Sequence, residues 1–238
     1  DQQFTVGAGK FLSLGNPYPS AVSAAQILTA GGTQLNNNYL AWDPSLNGTY
    51  NVGGYQTISD VGSGFYKAVP GGTDLYQSLV SYPNIQSGQS IFLFNNSATS
   101  LTFNLTESMK VNGSSGALSR TNTFFDRELI SSTLFTSANI IADGNLVAFD
   151  DELTNNIDRD DAKKISNSGE NFGLLRNGEK LAIEARARIS DRDTIFYNMS
   201  NIRQAAYKLA IMPENFQNPA SISALIVDKY LSTETAID

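Results

Sequence analysis

The 238-residue chain has no cysteine and no histidine. The first absence removes disulfides, thiol nucleophiles and thiolate metal sites, and it leaves the redox compartment open, because a cysteine-free chain tolerates any. Together the two absences exclude Ser-His-Asp and Cys-His relays and the usual zinc ligand sets. Most hydrolase mechanisms are thereby closed, and the expectation is that the chain is no enzyme. Paired carboxylates of the kind used in glycoside hydrolysis remain available. Asp191 and Asp193, two apart on an extended segment, can share a face, yet nothing in the sequence buries either.

Charge is also scarce. Only 16% of residues are charged, and 23 acidic against 16 basic side chains leave a net charge of -7. Such a surface releases no counterions from a polyanion, so neither nucleic acid nor an anionic membrane is an expected partner. No apolar run reaches the roughly 18 residues of a membrane helix. The longest, residues 91–94 and 224–227, have strand length, and no membrane insertion is expected. The chain opens Asp1-Gln2-Gln3-Phe4-Thr5-Val6 with no charged-then-apolar leader, which places any secretion signal upstream or among removed residues.

What is abundant is glycine (19), phenylalanine (13) and tyrosine (10), the balance of many short strands punctuated by tight turns. The fold class read from this is all-β, with two jelly-roll-like β-sandwich modules and one or two short helices. Residues 4–6 and 10–14 read as strands around Gly7-Ala8-Gly9, and Gly15-Asn16-Pro17-Tyr18-Pro19-Ser20 reads as an extended corner. A two-turn helix is predicted over 20–28 with Ser20 as its cap. Strands 39–42 and 50–52 then flank a loop at 43–48. Strand 91–94 is answered by 101–105 across the turn Asn95-Asn96-Ser97. Asn112-Gly113-Ser114-Ser115-Gly116 has linker composition and sets the boundary between modules 1–113 and 114–238. Further strands are read at 129–135 and 138–141, with Asp143-Gly144-Asn145 as a turn before 146–149. Strands 172–175 and 181–185 flank Asn177-Gly178, a strong hairpin signal, and 195–197, 206–211 and 224–227 complete the set.

Two constellations stand out. Asp150, Asp151, Asp158, Asp160 and Asp161, with Asn156 among them, carry enough oxygen for a calcium ion, which takes six to eight such ligands. The competing reading is a solvated acidic loop in which Asp160 or Asp161 caps a short helix over 162–165. The second constellation is aromatic: Tyr39, Trp42, Tyr50, Tyr55, Phe65 and Tyr66 lie in a loop-rich stretch where a sugar-stacking platform could form, with Tyr39, Trp42 and Tyr66 as its candidate binding residues, against the alternative that they fill a core or a corner.

The run Phe11-Leu12-Ser13-Leu14-Gly15-Asn16-Pro17-Tyr18-Pro19-Ser20-Ala21 resembles a motif of large secreted cell-surface proteins of the Bacteroidetes, exported by the type IX secretion system. Tyr39-Leu40-Ala41-Trp42-Asp43-Pro44 and Ser87-Gly88-Gln89-Ser90-Ile91-Phe92-Leu93 follow in the order of that family. Ala142-Asp143-Gly144-Asn145, the stretch from Asn156 to Lys164, Asn177-Gly178-Glu179-Lys180-Leu181 and Asp193-Thr194-Ile195 are similar to the module that precedes the sorting domain of such proteins. The resemblance implies an extracellular location and β-sandwich modules. It also implies additional strands beyond both ends, so that the first module would be incomplete at its N-terminus and the second at its C-terminus.

Open sheet edges present unpaired backbone groups and template the addition of another strand. The functional expectation is therefore a non-catalytic structural or adhesive surface segment, a filament subunit among the possibilities. It pairs by strand addition with other copies of itself or with adjoining domains. The alternative is a carbohydrate-binding module whose partners are glycans.

Overall fold

A computed structural model describes residues 1–62, 64–73, 79–81, 84–112, 127–216 and 223–237. The fold is all-β, with one α-helix among these residues. The first half contains β1 (Gln2–Val6), β2 (Phe11–Gly15), β3 (Val22–Ser23), α1 (Ala24–Ala30), β4 (Asn38–Asp43), β5 (Gly54–Asp60), β6 (Phe65–Val69), β7 (Leu79–Ser81), β8 (Asn84–Ile85), β9 (Ser90–Phe94) and β10 (Leu101–Leu105). The second contains β11 (Glu128–Thr136), β12 (Ile141–Phe149), β13 (Ala162–Lys163), β14 (Asn171–Arg176), β15 (Glu179–Arg186), β16 (Tyr197–Ser200), β17 (Tyr207–Glu214), β18 (Ala224–Asp228) and β19 (Thr233–Ile237). Beyond Asn112, the linker read from the sequence and the boundary placed on it lie outside the described residues.

In the first half a sheet of order β2-β9-β4-β5-β6-β7 faces the β1-β10 pair and α1. Alternation along the strands turns Leu14, Tyr39, Ala41, Ile58, Ile91 and Leu93 inward to meet Val6, Phe103 and Leu105 from the pair and Ile27 and Leu28 from the helix. Each such fully buried aliphatic side chain contributes about 1.5–3 kcal/mol of transfer free energy.

Several local expectations are corrected. The helix begins at Ala24 and is capped by Ser23, whose Oγ accepts the Gln26 N–H, because Val22 and Ser23 are extended against Ile85 and Asn84. Residues 50–52 form a turn rather than a strand, with Asn51 and Gly53 both at positive φ (57° and 82°). Strand β9 pairs with β2 and β4, and β10 pairs with β1, so the two are not a hairpin. The connection between them is a corner held by the buried side chain of Asn95, which donates to the carbonyls of Gly7 and Thr99 and accepts from the N–H and hydroxyl of Ser97.

The second half is a curled sheet of order β16-β14-β15-β12-β11-β17, with β13 added on β15 and the β12-β15 pair parallel. The curl brings Tyr197 of β16 across to β11, where its hydroxyl lies 2.8 Å from Ser132 Oγ. Val147, Phe149, Leu174 and Leu181 fill the inside of the curl. On the other side Leu129, Leu146, Ala148, Ile183 and Ala185 share one core with Val61 and Val69 of the first half. The two halves are thus joined by apolar burial as well as by chain.

The β14-β15 hairpin follows its Asn177-Gly178 turn, with φ of 49° and 84°. No strand covers 138–140; β12 starts at Ile141 and carries Asp143-Gly144-Asn145 straight through its buried interior. A turn-forming triplet can do this where its polar groups find partners and its glycine admits a close neighbour. Asp143 accepts the Phe172 N–H at 2.7 Å, and a Cβ on Gly144 would lie 2.8 Å from Pro70 Cβ. Residues Ala162–Lys163 are a strand on β15, not the start of a helix. Strand 195–197 shifts to begin at Tyr197.

Candidate functional site

The seam between the halves is built from a run of three asparagines. Leu35 leaves the short 3-10 turn at Gly32–Gln34 in extended conformation, and Asn36, Asn37 and Asn38 then meet the acidic loop that precedes β13. The Asp161 carbonyl accepts Nδ2 of Asn36 at 2.8 Å and of Asn38 at 3.1 Å. Asn37 exchanges with Arg159 in both directions, its N–H reaching the Arg159 carbonyl at 2.8 Å while its Oδ1 accepts from the guanidinium, and its Nδ2 donates to Asp160. Farther along, Lys67 Nζ meets Glu214 at 2.5 Å, the Tyr55 N–H donates to Asn167 Oδ1, and Glu170 accepts from the Thr49 hydroxyl and from Tyr207. Buried polar pairs of this kind fix the orientation of what they join, because a slip leaves donors and acceptors without partners.

The five aspartates considered as calcium ligands are committed elsewhere, and no group of three or more acidic side chains among the described residues is placed to hold a metal ion. Asp150 accepts the Glu152 N–H and Asp158 the Asp160 N–H, both two residues on. Asp151 forms a two-point pair with Arg188 at 2.9 and 3.0 Å, and Asp160 takes Asn37. Asp161 is buried and accepts the N–H groups of Asp158 and Ala185. Burial pushes its carboxyl up to about 6, against the pull of those two hydrogen bonds and of Arg176. Asp-rich turns of this kind spend part of their oxygens on nearby backbone N–H groups, as Asp150, Asp158 and Asp161 do here.

Tyr39, Trp42 and Tyr66 do not share an exposed face. Tyr39 (3% exposed) lies in the first core and Tyr66 (5% exposed) is also buried, whereas Trp42 is 44% exposed on the opposite face of β4. The Tyr66 hydroxyl stays protonated, since burial and then the nearby Asp60 charge push its pKa up to about 12. It lines a cleft of about 280 Å³ with Leu28, Thr29, Asn37, Asp60 and Arg159. The rings that do accompany Trp42 are Tyr55 on β5, 5.0 Å away edge-on, and Phe92 on β9, 5.7 Å from Tyr55. Trp42 lies against Gly53, where a Cβ would come within 2.7 Å of the ring. Tyr55 was among the aromatics read from the sequence, whereas Phe92 was missed because cross-strand neighbours are distant in sequence; the signal available was the alternation that separates residue 39 from residue 42.

The most exposed apolar surface is at the β18-β19 hairpin. Among the described residues neither strand pairs with anything but the other. Leu225, Val227, Tyr230 and Leu231 are 57%, 54%, 94% and 64% exposed. The hairpin touches Phe196 through Lys229, whose Nζ lies 6.0 Å from the ring centre. An isolated two-stranded hairpin is marginal in water, and an apolar, edge-open one is a template for pairing. The outer edge of β17, which pairs with no further strand among the described residues and exposes Met212, is a second such surface. Among the described residues no helix is long and apolar enough to cross a membrane.

A family model described as a domain of unknown function (DUF8693) matches residues 1–234. No curated protein and no solved structure matches the chain.

Proposed function

The chain belongs to this family of domains of unknown function, and from that premise we propose that it is a non-catalytic segment of an extracellular surface protein, one that assembles by adding strands between copies. The observation that carries this reading is the β18-β19 hairpin, a ladder to which no third strand is added among the described residues and which exposes four large apolar side chains. Pairing with a second copy satisfies the outer backbone groups of the hairpin and removes those side chains from water at once. The resemblance of the Gly15-Asn16-Pro17-Tyr18-Pro19-Ser20 region to bacterial surface proteins supports the extracellular part, and the lack of imidazole and thiol supports the non-catalytic part. Light scattering on the full chain should give a mass above one copy that rises with concentration. Replacing Leu225 and Val227 together by Lys should return it to one copy. A single-copy mass for the unaltered chain at every concentration would end the assembly.

Glycan binding is a second reading, favoured by the half-exposed Trp42 standing in a row with Tyr55 and Phe92. Aromatic faces of this kind stack on sugar rings. On a panel of polysaccharides the chain should retain at least one, and Trp42→Ala should lose it. Retention of none, or full retention by the variant, removes this reading.

A further inference from the structure

Lys164 and Asp143 meet out of water in the second half. Nζ lies 2.7 Å from Oδ2, with the two side chains 9% and 0% exposed. Both partners are fixed along their length. The Lys164 N–H donates to the Lys180 carbonyl at 3.0 Å, and the stem of its side chain crosses Gly173, where a Cβ would lie 2.7 Å from Cδ. Asp143 sits in the interior of β12, and its Oδ2 also accepts the Phe172 N–H at 2.7 Å. Its other oxygen, Oδ1, is buried without a well-aligned hydrogen bond.

We propose that this pair is a covalent modification site at which the lysine amine and the aspartate carboxyl condense to an intramolecular amide. The balance closes within the pair. A proton passes from the ammonium to the carboxylate, and the free amine attacks Cγ. In the resulting adduct Oδ2 carries the charge, held by the Phe172 N–H. The second ammonium proton then leaves with Oδ1 as water, the Cγ–Oδ1 bond breaks, and an Nζ–Cγ amide bond remains. Nothing is oxidised or reduced, and no further reactant is needed.

Three features favour the step. A medium without water makes the neutral acid and amine accessible, and burial pushes the Asp143 carboxyl up even against the pull of Lys164 and of the Phe172 and Gly144 N–H groups. The fixed contact replaces a bimolecular encounter, an advantage that in oriented systems reaches about 10⁵ M or more in effective concentration. The oxygen that departs is the one without a well-aligned donor, while Oδ2 keeps its hydrogen bond in the product. The link closes the loop from 143 to 164, including the acidic segment, and ties β12 to the end of β13. In a chain without cysteine it would constrain the unfolded state as a disulfide does.

The test is intact-mass spectrometry of the full chain, purified folded, held in native buffer and then denatured. It should be lighter than its sequence by one water, and proteolysis should yield a branched peptide joining the segments that contain Asp143 and Lys164. Lys164→Met should show the full sequence mass. Asp143→Asn should reach the same cross-linked mass as the unaltered chain, because ammonia then leaves in place of water. An unaltered chain of full mass, with the two residues in separate peptides, overturns the proposal.

Discussion

Asp43→Ala is expected to cost the fold about 2–5 kcal/mol, read as a lowered midpoint of urea or thermal unfolding at neutral pH. Asp43 closes β4 with no exposed surface. Its carboxylate accepts the N–H and hydroxyl of Ser45, Nε2 of Gln56 at 3.0 Å and the Thr73 hydroxyl at 2.6 Å. Alanine leaves those donors without their acceptor, and an orphaned buried donor costs about 1–3 kcal/mol.

The same network fixes the response to pH. Burial alone would push this carboxyl up, but the bonds from Ser45, Thr73 and Gln56 outweigh it and hold it below the ordinary carboxylate range. A group lowered in the folded state contributes stability above its unfolded pKa of 3.8 and loses it as pH falls through the folded value. The stability gap between the unaltered chain and Asp43→Asn should therefore shrink below pH 3.8. Asp161 works in the opposite sense. With its pKa raised from 3.8 to about 6, its contribution is full below 3.8 and is lost as pH rises through 6.

Gly144→Ala should destabilise by about 1–3 kcal/mol, and Gly144→Val by more. The added Cβ would come within 2.8 Å of both the Ser132 carbonyl oxygen and Pro70 Cβ. The first is backbone of the neighbouring strand and the second belongs to the other half, so neither yields as the end of a flexible chain would. Ordinarily Gly→Ala in a strand is favourable by about 0.5–1 kcal/mol through the unfolded state. A loss measured in urea would thus report how closely β11 and Pro70 pack over this glycine.

The all-β class, the Asn177-Gly178 hairpin and the strand character of 172–175, 181–185 and 206–211 were legible because they rest on local pattern: alternation, β-branched and aromatic residues, and a turn pair suited to positive φ. Partnership was not legible. Strands β9 and β10 are neighbours in sequence, yet β9 joins β2 some 80 residues away because its alternate face must meet Leu14, Tyr39 and Ala41 in the core. Asp143-Gly144-Asn145 has the composition of a turn, and only Lys164 and Pro70, which no local window contains, make it a strand.

Among the candidate sites, Trp42 kept its exposure while Tyr39 and Tyr66 went inward. The spacing of three between 39 and 42 already set those two on opposite faces. The asparagines at 36–38, which organise the seam, carry no motif at all. The role of Asn36 and Asn38 follows from the Asp161 carbonyl they share, and that of Asn37 from Arg159 and Asp160, all more than 120 residues away.

Amide hydrogen exchange at low and at high protein concentration addresses main-chain assembly most directly. The amides of Ala224–Asp228 and Thr233–Ile237 should exchange quickly in dilute solution and become protected as concentration rises, while those of β12 and β15 stay protected throughout. Exchange in the hairpin that is equally fast at every concentration would contradict strand addition between copies.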